Sequence, residues 1–98
     1  MMVQAMKSNY TYSLVKEVYD SEEAREVLMS LVSGTTRFHS LKNLRSWETK
    51  GTKDEQSEKR ITELNEMRET ILNMIKDLDR ENVSVEISAE VKVATGKT

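Results

Sequence analysis

Residues 83–93 read VSVEISAEVKV. Val83, Val85, Ile87, Ala89, Val91 and Val93 fall on one side of an extended chain, and Ser84, Glu86, Ser88, Glu90 and Lys92 fall on the other. A period of two, rich in β-branched residues, is the mark of a strand with one buried face. Near the other end of the chain, residues 10–19 read YTYSLVKEVY. Here the alternation is noisier: Tyr10, Tyr12 and Leu14 share one face, Val15 and Tyr19 the other. Apolar residues on both faces predict that part of the outer face of this first strand is also covered.

Everything between these strands is helical in pattern. Asp20 can cap a first helix, and Glu23 stands at capping-box distance from it. Ala24, Val27, Leu28, Leu31, Phe38 and Leu41 then recur at helical spacing. At 100° per residue they fill an arc of roughly 140°. The pattern runs to about Trp47. Gly34 is its weak point, at about 1 kcal/mol in helix propensity. The 4-3-4-3 spacing of Val27, Leu31, Gly34, Phe38 and Leu41 predicts one continuous helix, with Gly34 on the inner face admitting a close neighbour. Glu48 to Lys53 form the break, with Gly51 as the helix stop. Thr52 with Glu55, or Asp54 alone, can cap a second helix. That helix carries Leu64, Met67, Ile71, Met74 and Leu78, widened by Ile61, Leu72 and Ile75 to roughly 160°. Such an arc can touch more than one neighbour.

Chain order converts these elements into a fold. Two helices joined by a short loop are antiparallel, so both strands sit at one end of the hairpin. The first runs towards that end and the last runs away from it. The expectation is an α+β domain over residues 9–94: strand–helix–helix–strand, a long antiparallel helical hairpin with its terminal strands paired antiparallel. Residues 1–8 and 95–98 are expected to be disordered ends. A two-stranded ribbon is marginal alone, and a chain of 98 residues buries little. A homo-oligomer, most simply a dimer, is therefore expected.

Composition restricts the chemistry. The net charge is −2, which argues against nucleic-acid binding by bulk charge. There is no cysteine, so no disulfide framework and no thiol chemistry, as suits a reducing cytoplasm. No apolar run approaches the ~20 residues of a membrane span. His39 is the only histidine, and no metal-ligand spacing surrounds it. It reads as structural or solvent-facing. Gly96, Lys97 and Thr98 match the end of a P-loop, but Val91 stands where its first glycine is required. The carboxylates are interleaved with Lys and Arg, so no acid/base pair stands out. No catalytic residue, cofactor or metal site is expected.

One charge asymmetry remains. Arg37, Lys42, Arg45, Lys50 and Lys53, with Trp47 among them, face a single acid, Glu48, over residues 37–53. Residues 17–26 are mostly acidic. A basic hairpin tip with an aromatic ring could hold phosphates or an acidic partner surface. The plainer alternative is that Trp47 closes the end of the hairpin core while the lysines keep the tip soluble, diluted by Asp54, Glu55 and Glu58.

The stretches NYTYSL (9–14), DSEEAREVLMSL (20–31), FHSLKNL (38–44) and KRITEL (59–64) resemble a family of short bacterial proteins to which no activity is attached. The resemblance implies no site residues. The expected function is thus that of a non-enzymatic, self-associating structural or adaptor protein. The alternative is a nucleic-acid or anion-binding accessory protein that uses the basic tip.

Overall fold

Asp20 decides where the first strand stops and the first helix begins. Its side chain accepts a 2.8 Å hydrogen bond from the Glu23 N–H, and Glu23 Oε1 accepts one of 3.1 Å from the Asp20 N–H. This is the capping box expected from the spacing. In the computed structural model, which describes residues 8–96, strand β1 (Asn9–Tyr19) leads into helix α1 (Ser21–Lys50). The helix runs unbroken through Gly34, as expected. Gly51 ends it with φ 71°, its N–H donating to the Trp47 carbonyl at 2.9 Å. Asp54 alone caps helix α2 (Glu55–Glu81), accepting from the Ser57 N–H at 2.9 Å. Asn82, at φ 54°, supplies the left-handed residue that ends α2 and turns the chain into strand β2 (Val85–Ala94). None of the helices among the described residues is long and apolar enough to cross a membrane.

The terminal strands pair antiparallel, from Asn9 opposite Ala94 to Tyr19 opposite Val85. The hydrogen bonding continues to Ser8, whose carbonyl accepts from the Thr95 N–H at 2.8 Å. Of the two ends expected to be loose, residues 1–7 and 97–98 lie outside the described residues.

A register shift corrects the reading of β1. Ser13 stands opposite Glu90 and Val15 opposite Ala89, so Leu14 is an extra residue, a β-bulge. The bulge reverses the parity of the strand. Tyr10, Tyr12, Val15, Glu17 and Tyr19 stand opposite Val93, Val91, Ala89, Ile87 and Val85. Directly opposed residues share a face. The tyrosines therefore lie on the same side as Val15 and Tyr19, and the first strand has one apolar face where two half-faces were expected.

Only the base of the ribbon is packed. Ala24, Ile75 and Ile87 form the buried centre, with Val15, Tyr19, Val85, Val27, Leu28, Ile71 and Leu78 around it. Val83, Val91 and Val93 remain substantially exposed, against the expectation that the whole odd-numbered face of 83–93 is buried. Val83 precedes the strand, and beyond Ala89 the ribbon has left the helices behind.

The resulting shape is flat and open. Its extents are 55 × 40 × 14 Å, and its radius of gyration is 17.9 Å. A packed domain of this length has a radius of gyration near 13 Å. The protein's shortest extent, 14 Å, is about a quarter of its longest, 55 Å.

Candidate functional site

The hairpin tip is held by a polar seam. Ala24 and Val32 face α2 in the lower half of α1, but His39 and Asn43 continue the same line in the upper half. His39 Nδ1 lies 3.0 Å from the Oγ of the fully buried Ser57. Asn43 is used at both ends of its amide: Nδ2 donates to Glu58 Oε2 at 3.0 Å, and Oδ1 accepts from the Asp54 N–H at 3.0 Å. His39 is thus structural. We expect Asn43→Ala to cost about 1–3 kcal/mol, read as a lowered urea midpoint, because it strips partners from Glu58 and from a backbone N–H near the cap.

Asp54 sits at the centre of the tip. Hydrogen bonds from the Ser57 side chain and backbone hold its carboxyl below the usual range, against partial desolvation and with help from the charges of Lys42 and Lys50. A carboxyl whose folded pKa is depressed stabilises the fold above its unfolded pKa, and that stability is lost as pH falls through the lowered folded value. Acid should therefore loosen the tip. In an Asp54→Ala variant the midpoint between pH 5 and pH 2 should fall less steeply than in the parent chain, as followed by thermal melts.

The six residues of the basic tip do not converge. Lys42 lies 3.9 Å from Asp54, and Lys53 lies 3.2 Å from Glu58. Arg37, Arg45 and Lys50 form no ion pair among the described residues. At 100° per residue these three point to different sides of α1. Trp47 does not close the hairpin core, against the plainer of the two expectations: it is 58 % exposed. It lines a shallow groove with Leu44, Ile61, Lys53 and Glu58. The polar seam explains this, because α2 approaches α1 along the Asn43 line and leaves Trp47 to one side.

The same cause moves the apolar stripe of α1 out of the hairpin. Val27, Leu31, Gly34, Phe38 and Leu41 centre roughly 120° around the helix from Ala24, Val32, His39 and Asn43. Phe38 and Leu41 are consequently exposed. Gly34 is exposed too, and among the described residues nothing beyond its own helical turn lies within 4 Å of the place a Cβ would occupy. Gly34 is therefore not on the inner face, and the close neighbour expected there is not found among the described residues.

Two grooves fix which flanks of the helices share a side. Leu44 and Trp47 meet Ile61 and Glu58, and lower down Glu22 and Arg25 meet Leu72, Glu69 and Lys76. The opposite flanks therefore lie together on the other side of the hairpin: Phe38 and Leu41 on α1, Met67 and Met74 on α2. All four are substantially exposed. The groove side is charged low down, at Glu22, Arg25, Glu69 and Lys76, and apolar near the tip, where Leu44 and Trp47 are exposed. On the other side, Phe38, Leu41, Met67 and Met74 are apolar residues that sequence periodicity detected on each helix but assigned to the interior.

Among the described residues no group of three or more His, Asp or Glu side chains is arranged to hold a metal ion. Compared with protein-family models, curated proteins and solved structures, the chain matches none.

Proposed function

We propose that this protein is a non-enzymatic, self-associating structural or adaptor protein, most simply a homodimer, suited by its lack of cysteine to the cytoplasm. One observation carries the reading: the two helices form one layer, which the ribbon covers only at its base. Stable domains bury an apolar face between at least two layers of secondary structure. Apolar faces on the hairpin and on the outer ribbon are covered by nothing among the described residues.

Surface area supports the same reading. The chain exposes 7913 Å². Granting the nine outermost residues the full exposure of an unfolded chain, about 1,500 Å², the rest still exceeds by about 1,000 Å² the ~5,300 Å² of a compact chain its size. A standard interface removes about 800 Å² from each partner. Association linked to folding makes the thermal midpoint rise with protein concentration. We expect that rise between 1 and 100 μM. A midpoint independent of concentration would count against the proposal.

A second reading rests on Arg37, Arg45 and Lys50, which form no ion pair among the described residues, beside the exposed Trp47. It makes the tip a contact for nucleic acid or another polyanion. No mobility shift of DNA or RNA at low salt would remove it, because phosphate contacts are strongest there.

A further inference from the structure

Self-association does not by itself say which surface meets which, and three features of the hairpin narrow the choice. The first is the exposed apolar face. Leu31, Gly34, Phe38 and Leu41 on α1, with Met67 and Met74 on α2, make a diagonal band across it. Cross-hairpin contacts place this band along the hairpin's length. Ser21 bonds Asp79 near the base, and His39 and Asn43 bond Ser57 and Glu58 near the tip. Gly34 is therefore near mid-length, level with Leu64. The second feature is Gly34 itself. A glycine inside an exposed helix costs about 1 kcal/mol against alanine, and no close neighbour among the described residues offsets that cost. In a two-fold contact, a residue on the axis meets its own copy, and a missing side chain there lets two helices approach closely. The third feature is the balance of charge at the two ends: counting both helices, residues 37–60 at the tip carry seven Lys and Arg against four Asp and Glu, while residues 16–26 and 76–86 at the base carry four against nine.

We infer that two copies pack through this apolar face, antiparallel, crossing at Gly34, so that the basic tip of each lies over the acidic base of the other. The inference rests on the proposed self-association. Parallel packing would set tip on tip and base on base, like charge against like. The antiparallel arrangement satisfies both ends at once, and it gives the basic tip a partner within the assembly: the acidic base of a second copy. The opposite side of the hairpin, with Glu22, Arg25, Glu69 and Lys76 in its lower cleft and Leu44 and Trp47 along its upper groove, lies outside this contact.

The chain has no cysteine, so single cysteines report the contact directly. A disulfide needs Cα atoms about 4.4–6.8 Å apart, which helices reach only at a close crossing. Under mild oxidation Gly34→Cys should convert to a covalent dimer, and Glu69→Cys on the charged side should not. Phe38→Glu should weaken association more than about tenfold, as expected for an aromatic at the centre of an interface, without lowering helix content. Raising salt from 0.05 to 1 M should weaken the parent dimer, since exposed charges are then screened. A parent chain of dimer mass with no crosslink at position 34, or unaffected by Phe38→Glu, would overturn this geometry and leave self-association standing. A parent chain of monomer mass would overturn both.

Discussion

Ile87→Asp is expected to unfold the chain or lower its thermal midpoint by tens of degrees, while Glu86→Lys, one residue away, shifts it by a few degrees. Ile87 is 7 % exposed and packs against Ala24 and Ile75, where both helices meet the ribbon. The residues packed around it are apolar, and Glu17 stands opposite it on β1. Burying an unpaired charge costs several kcal/mol, and in a domain this small each 1 kcal/mol moves the midpoint by roughly 4–8 °C. Glu86 lies on the other face of β2, opposite Val18 and exposed to water. Exposed substitutions usually stay within ~0.5 kcal/mol. Equal shifts for the two variants in a calorimetric melt would show that the ribbon's apolar face does not hold the fold together.

Ile75→Ala is expected to cost about 2–5 kcal/mol at every protein concentration, the usual range for truncating a buried isoleucine. Ile75 is buried at the one place where hairpin and ribbon share a core. Its neighbour Met74 makes the contrast. It is exposed in the single chain and lies on the face assigned to a second copy. Met74→Ala should lower the urea midpoint at high protein concentration and lose that effect on dilution. If the two variants respond to dilution alike, Met74 does not lie in an interface between copies.

The contrast between Ile75 and Met74 also shows what the sequence carried and what it hid. Asp20 with Glu23, Gly51 and Asp54 fixed the helix ends through side-chain and backbone chemistry that is local, and each is found where the spacing placed it. The alternation of β2 was equally local. The bulge at Leu14 was not visible, because one extra residue makes a single apolar face look like two half-faces. Helix α1 misled for a different reason. Periodicity finds apolar residues, and the upper half of its contact with α2 is made by His39 and Asn43, whose hydrogen bonds to Ser57, Glu58 and the Asp54 backbone replace apolar packing. The apolar stripe with Phe38 and Leu41 was a true signal assigned to the wrong neighbour within the chain. The basic tip was readable as charge, but only the fold shows that Lys42 and Lys53 are paired while Trp47 stands outside the core.

The proposed self-association makes one demand above all, that the chain not be alone in solution. Size-exclusion chromatography with light scattering at micromolar concentration measures this without reference to shape, which matters for a molecule 55 Å long. We predict twice the chain mass of 11.3 kDa, or a higher whole multiple of it. A uniform mass of 11.3 kDa across the peak would contradict the account.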